Sequence, residues 1–376
     1  LSPILAAVAH LVALDLPGGP RFVDELRRAW DAGDAVLPVD RRLPAPARAA
    51  LLAAMAPTAI IDESGRHHLP DGRPVEPGDA LVVATSGSTG APKGVVLTRA
   101  AVAASARATT ARLGTTAVDT WLACLPLAHV GGLAVVTRAI ETGASLVVHE
   151  GFDALSVMRA ATEGATCVAL VPTALARIDP TVFRVIVLGG ARPPTDLPAN
   201  VHTTYGLTET GSGVVYDGWP LGGVEVQVAT DGEVLLRGPM LLRCYRDGST
   251  PLDDDGWLHT GDIGRWLPDG RLHVDGRRAE MINSGGEKVW PDAVEAVLAS
   301  HPAVAEVAVA GVPDREWGER VVAWVVPADP TTRPALEALR DHVCAVLPAF
   351  CAPKEVRVVA TLPRTALGKV QRHLLL

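Results

Sequence analysis

Lysine is scarce in this chain. Of 34 basic residues only Lys93, Lys288, Lys354 and Lys369 are lysines. The two cations are not interchangeable: Lys is a compact charge on a flexible stem, Arg a wide planar fork. In so biased a composition each remaining Lys either survives at a solvated position or marks a place where the fork would not fit, and its neighbours must decide. Cysteine is sparse as well. The five, Cys124, Cys167, Cys244, Cys344 and Cys351, are scattered and odd in number, with no CxxC and no zinc-type His/Cys spacing. That excludes a disulfide framework and suits a reduced cytoplasm. Positive charge is in deficit, at a net −8, which argues against a nucleic-acid partner. No apolar run reaches the ~18 residues of a membrane span. The start, "LSPILAAVAHLVALDLPGG", lacks a basic n-region and is interrupted by His10 and Asp15, so it reads as a core segment rather than a signal peptide. Internal repeats and long low-complexity runs are missing too.

What is present is globular. The 376 residues are 48% hydrophobic and 20% charged, and the length suggests about two or three domains with ample core. The first part alternates helix and strand signals. "RFVDELRRAWDAG" sets Phe22, Leu26 and Trp30 on one helical face and stops at Gly33; "AVLPVD", "TAIID", "LVVAT", "GVVLT", "SLVVHE", "TCVALVP" and "FRVIVLGG" are short apolar strands. After about residue 215 the texture becomes short strands and Asp-Gly turns, which predict hairpins. From about 276 a compact α+β unit fits: a hairpin in "AEMINSGGEKV", a helix opened by Pro291, strands near "AEVAVAGV" and "RVVAWVV", a helix from Pro334 to about Leu347, and the strand "EVRVVA". The expected architecture is a large α/β N-terminal domain, 1–275, with mixed sheets flanked by helices and a small β-rich subdomain, followed by a smaller α+β domain, 276–376.

Chemistry concentrates in "TSGSTGAPKG", Thr85 to Gly94. Glycines let backbone N–H groups approach an anion and hydroxyls add donors, so the loop between two buried strands reads as a phosphate nest. It is neither a Walker loop, since Lys93 is followed by Gly94, nor a GxGxxG dinucleotide loop. Four further stretches follow: "TTYGLTET" with Tyr205 and Glu209, "HTGD" ending in Asp262, "GRRAEMINSGGEKVWP" with Arg277, and "LPRTALGKVQR" with Lys369. Taken singly each reads equally as surface charge or turn chemistry.

Together and in this order, the five stretches resemble the adenylate-forming superfamily of acyl-CoA synthetases, adenylation domains and luciferases, from about residue 80 to the end and more loosely from about 20. The resemblance implies ATP, Mg²⁺ and coenzyme A as ligands. It implies that Thr85, Ser86, Gly87, Ser88, Thr89, Gly90 and Lys93 grip the ATP phosphates, that Thr208 lies by the α-phosphate, and that Glu209 helps hold Mg²⁺. Tyr205 would pack near adenine, while Asp262 and Arg277 would contact the ribose. Ser284, Gly285 and Gly286 would line the CoA tunnel, beside Lys288, and the smaller domain would be mobile. Lys369 would bridge the substrate carboxylate and the α-phosphate, where a mobile ammonium neutralises two meeting anions. Lys354 falls in no motif and is expected to be solvated. Ala279 stands at the hinge, where an acid or lysine is common in that superfamily.

Within the superfamily the short region before the phosphate loop, "LPLAHVGGL" and "TTYGLTETGSGVVYDG" look like the o-succinylbenzoate–CoA ligases of menaquinone synthesis. That resemblance implies a cytoplasmic enzyme of a dianionic acid, with His129 at the acyl pocket and Arg192 or Ser212 as candidate anchors of the second carboxylate. Another aryl or short-chain acid–CoA ligase and a stand-alone adenylation enzyme loading a carrier protein stay open; a non-catalytic relative fits poorly with intact Lys369, Glu209 and Asp262. The resemblance suggests a homodimer without fixing it.

Overall fold

The computed structural model describes residues 8–86, 92–364 and 370–376, without the side chain of Ser86. The chain divides into two compact units, Leu1–Val226 with Leu236–His259, and Gln227–Leu235 with Thr260–Leu376.

The first unit is built on two seven-stranded mixed sheets with helices. In one, Leu11–Leu14 pairs in parallel with Ala35–Pro38 and Ala59–Asp62, and Ala35–Pro38 with Asp79–Ser86. All four residues of Leu11–Leu14 and of Ala35–Pro38 are buried, as a parallel strand covered on both faces requires. Asp79–Ser86 then turns back as an antiparallel partner of Pro92–Thr98, with Thr85 opposite Lys93 and Ser86 opposite Pro92. The second sheet has a parallel run of Ser145–Val148, Thr120–Ala123, Cys167–Leu170, Val185–Leu188 and Val201–Leu207, continued by antiparallel Ser212–Tyr216 and Trp219–Pro220. Local chemistry sets the helix ends. Helix Pro20–Asp31 starts on a proline and is followed by Gly33 at φ 80°. Helix Arg99–Leu113 is capped by the Thr98 hydroxyl, which accepts from Ala101 N–H at 3.1 Å.

A four-stranded sheet, in the order Glu225–Val228, Glu233–Arg237, Leu258–Trp266, Leu272–Arg277, holds the points where the chain passes between the units. The Asp-Gly turns before Glu233 and Leu272 carry Gly232 and Gly270, both at φ 87°. The second unit continues with a five-stranded sheet whose long hairpin, Val304–Asp314 with Gly318–Pro327, is joined by Ile282–Ser284 and by parallel Glu355–Val358. Helices Pro291–Leu298 and Leu336–Cys344 bury Val294, Leu298, Leu339 and Val343 in its core. The second helix is shorter than the sequence predicts. Its first turn has no capping side chain, and Leu347 precedes Pro348, a position that disfavours helix. The expected fold class, mixed sheets with helices followed by a smaller α+β unit, is the one observed.

Candidate active site

In the first unit the expected acid lies beside an aromatic that sequence reading missed. Strand Val201–Leu207 runs into a single turn, Thr208–Thr210, and that turn presents Glu209. The turn is closed by the Thr210 hydroxyl, which accepts from Leu207 N–H at 2.9 Å and donates to Ser212 O at 2.6 Å. Gly211 leaves it at φ 67°, a conformation that favours glycine. The Tyr245 hydroxyl donates to Glu209 Oε1 at 2.9 Å, and Leu242 N–H donates to the Glu209 carbonyl at 2.7 Å. Lys93 Nζ lies 5.0 Å from the centre of the Tyr245 ring, within cation–π range. Tyr245 itself is positioned by Cys244–Tyr245, which pairs with Val95 and Val96 of the strand carrying Lys93.

Thus Thr85, Lys93, Tyr245 and Glu209 form one constellation at the mouth of the hairpin whose connection is the expected phosphate loop. Gly87, Ser88, Thr89 and Gly90 lie outside the described residues, as does Lys369. The donor set suits a hard cation. Glu209 Oε1 is oriented by Tyr245, and Oε2 has no hydrogen bond among the described residues. Among those residues no group of three or more His, Cys, Asp or Glu could hold a metal. A single carboxylate fits Mg²⁺, which usually takes one or two protein carboxylates plus substrate phosphates and waters.

His129 is the N-cap of helix Val130–Thr142 but caps nothing with its side chain. Its Nε2 lies 3.2 Å from Asp40 Oδ2 and 3.1 Å from Arg42 Nη2. Asp40 is buried and held by Arg42 Nε and Nη2, both at 2.8 Å. Burial alone would raise the Asp40 carboxyl, but hydrogen bonds from Arg42 and His129 outweigh it and hold it well below the usual carboxylate range. The pair serves both states of the ring: Arg42 can donate to a neutral Nε2, and Asp40 can accept from a protonated one. Tyr205 stands two residues before the end of its strand, opposite Val215. Arg192 is exposed past the strand Val185–Leu188, whereas Ser212 is buried at the start of Ser212–Tyr216.

In the second unit Asp262 and Arg277 are direct partners across an antiparallel pair. Arg277 Nε meets Asp262 Oδ1 at 2.9 Å, while its Nη1 donates to Thr260 O at 3.0 Å. Asp262 is 5% exposed, and its pairing with Arg277 orients the carboxylate. Ser284, Gly285 and Gly286 form the hairpin between Ile282–Ser284 and Glu287–Val289, with the glycines at φ 64° and 85°. Trp317 packs on that turn: Gly285 N–H donates to its carbonyl at 2.7 Å, and a Cβ on Gly285 would sit 2.8 Å from its ring. Lys288 is exposed. Lys354 corrects an expectation. Rather than being simply solvated, it is half-buried and its ammonium lies 3.6 Å from the centre of the Trp317 ring. An ammonium can rest on an aromatic face without any sequence motif.

The AMP-binding enzyme family matches residues 62–246 and the AMP-binding enzyme C-terminal domain matches residues 293–369. Over 326 residues the chain is 40% identical to a probable 2-succinylbenzoate–CoA ligase of Mycobacterium tuberculosis, covering 80% of this chain and 85% of that protein. The chain belongs to the AMP-binding enzyme family. A 2-succinylbenzoate–CoA ligase of Bacillus cereus is 36% identical over 333 residues, 78% of this chain and 68% of that one. Among solved structures, o-succinylbenzoate CoA synthetase from Bacillus subtilis in complex with the acyl-adenylate intermediate OSB-AMP superposes with a TM-score of 0.87 at 28% identity. It covers 97% of this chain and 88% of that one. The same enzyme with ATP and magnesium ion gives 0.85. ATP-bound MatB from Rhodopseudomonas palustris, at 23% identity and a TM-score of 0.83, shares the fold.

Proposed function

We propose that this chain is an ATP-dependent acid–CoA ligase that converts o-succinylbenzoate, ATP and CoA to o-succinylbenzoyl-CoA, AMP and diphosphate, a step of menaquinone biosynthesis. One observation carries this reading: 40% identity across 85% of a relative named for that activity, on a chain that brings Glu209, Tyr245 and Lys93 together.

The chemistry follows in two halves. A carboxylate oxygen of the acid attacks the α-phosphorus and diphosphate leaves; the CoA thiolate then attacks the acyl carbon and AMP leaves. In the first half Thr85 to Gly90 and Lys93 hold the phosphates, Thr208 lies by the α-phosphate, and Lys369 neutralises the two anions that meet. Glu209, fixed by Tyr245, would hold Mg²⁺, whose charge screens the phosphates. Tyr205 packs against adenine, and Asp262 with Arg277 takes the ribose hydroxyls, for which a carboxylate is the natural acceptor. His129, set by Asp40 and Arg42, belongs to the acyl pocket. Arg192, which is exposed, and Ser212, which is buried, remain the candidates for the second carboxylate. In the second half the domain 276–376 turns about Ala279 and brings Ser284, Gly285 and Gly286 to guide the thiol. Use of ATP and CoA, with five free cysteines, supports a cytoplasmic location, and a homodimer is the proposed assembly. Among the described residues no helix is long and apolar enough to cross a membrane.

The test of the adenylate is isotopic. Acid labelled with ¹⁸O in its carboxylate should leave one ¹⁸O in the released AMP. Unlabelled AMP, with the label in diphosphate instead, would remove the acyl-adenylate from the account.

A further inference from the structure

The strand that carries Tyr245 is a weak platform by itself. Cys244–Tyr245 is two residues long and lies at the edge of its sheet, paired with Val95 and Val96. Two ladder residues do little against the entropy of ordering a surface segment. The next residue supplies the anchor. Arg246 is half-buried, and its fork reaches four backbone carbonyls. Nε donates to Met55 O at 3.0 Å, Nη1 to Pro74 O at 2.8 Å, and Nη2 to Ala56 O at 3.3 Å and to Arg73 O. Met55 and Ala56 end the helix Ala45–Met55, and the last carbonyls of a helix favour a cation. Burial lowers the guanidinium pKa to about 10, which leaves it cationic at neutrality.

The same residue grips the strand of Lys93. Its N–H donates to Gly94 O at 2.7 Å, and the Arg243 N–H donates to Val96 O at 2.9 Å. Both flanks of Cys244–Tyr245 are therefore tied to Pro92–Thr98. A Cβ on Gly94 would sit 2.9 Å from Arg246 Cβ and 2.4 Å from Met55 Sδ, so glycine is what lets the Arg246 stem and Met55 close over that strand. One side chain thus joins a helix end, the segment 73–74 and the Lys93 strand to the residue whose hydroxyl meets Glu209 at 2.9 Å. A planar fork of five donors spans four carbonyls; an ammonium donating from a single nitrogen does not.

We propose that Arg246 is a positioning residue for the Mg²⁺ acid: it holds the edge strand Cys244–Tyr245 to the end of helix Ala45–Met55 and so fixes the Tyr245 hydroxyl against Glu209. This rests on the reading of Glu209 given above. Without the anchor the strand keeps its pairing with Val95 and Val96, but the hydroxyl loses its aim and the carboxylate its orientation.

The experiment uses the full chain and calorimetric titration with ATP in the absence of acid substrate, once with Mg²⁺ and once with EDTA. Wild type is compared with Arg246→Lys, Arg246→Met, Tyr245→Phe, Glu209→Gln and the double variant Arg246→Lys with Tyr245→Phe. The factor by which Mg²⁺ strengthens ATP binding should fall about fivefold or more in Arg246→Lys, the size of one lost hydrogen bond. Affinity in EDTA should stay within about threefold of wild type, and the double variant should lose no more of the Mg²⁺ factor than Tyr245→Phe alone, because both changes break one chain of contacts. Arg246→Met keeps the stem over Gly94 and repeats the test should Arg246→Lys fail to fold. Equal loss with Mg²⁺ and with EDTA would make Arg246 merely structural, and a further loss in the double variant would route its effect around Tyr245; either overturns the proposal. If Glu209→Gln loses the Mg²⁺ factor while the Arg246 variants keep it, only this inference fails. If Glu209→Gln itself keeps it, the metal role of Glu209 fails as well.

Discussion

The Tyr245 hydroxyl donates to Glu209 Oε1 at 2.9 Å, across 36 positions of sequence. The bond fixes one oxygen of the carboxylate, and in the proposed mechanism the other would hold Mg²⁺. Tyr245→Phe removes the donor but keeps the ring under Lys93. The expected outcome is a rise in the Mg²⁺ concentration needed for half-maximal adenylation, by about five- to tenfold, the equivalent of one hydrogen bond of roughly 1–1.5 kcal/mol, with thioester formation from synthetic adenylate unaffected. An unaltered Mg²⁺ titration would detach Glu209 from the metal.

Asp262 is preoriented by Arg277 at 2.9 Å in a nearly closed position. Asp262→Ala should weaken ATP binding by about 1–3 kcal/mol, because buried hydroxyls lose their acceptor. Calorimetric titration with ATP measures this directly, and equal affinity in the two proteins would count against a ribose role for Asp262.

The strands and turns of this fold were largely legible. Short apolar runs such as "VIVL" become buried parallel strands, and Gly285 and Gly286 become the tip of the hairpin read from "NSGG". Tyr245, Asp40 and Arg42 were not legible as site neighbours. Their partners are 36, 89 and 87 positions away, and single-sequence periodicity reports only neighbours within a turn or a strand. Lys354 shows the same gap, since its ring partner Trp317 lies in the turn between the strands Val304–Asp314 and Gly318–Pro327. A signal existed for Tyr245 alone: an aromatic in a chain with three tyrosines.

Asp40 carries a pH prediction. Its folded carboxyl is held below its ordinary value of 3.8, by Arg42 and His129 against the opposing effect of burial. A group depressed in the folded state contributes stability above its unfolded pKa and loses it as pH falls through the folded one. That contribution should be complete above about pH 4–5 and decline through more acidic values. Asp40→Asn should therefore be less stable than wild type at neutral pH, with the gap narrowing on acidification below pH 4. Denaturant midpoints measured between neutrality and pH 3 check this; a gap independent of pH would mean that the effect is packing rather than charge.

Lys369 should matter to one half-reaction. Lys369→Ala is expected to slow adenylation by at least about 10²-fold, the usual size for one aimed electrostatic group, and to leave thioester formation from synthetic adenylate near wild type. Lys369→Arg should restore adenylation poorly, because the charge returns without the shape. Equal slowing of both steps would place Lys369 in the site throughout the cycle and contradict the two-orientation scheme.

The most direct measurement is a substrate panel. Purified protein is given ATP, Mg²⁺ and CoA with o-succinylbenzoate, benzoate, malonate or a medium-chain fatty acid, and AMP release and thioester formation are followed together. The account predicts the highest kcat/KM for o-succinylbenzoate, with one thioester formed per AMP. A higher kcat/KM for any other acid would contradict the substrate, and AMP without CoA thioester would contradict the ligase itself.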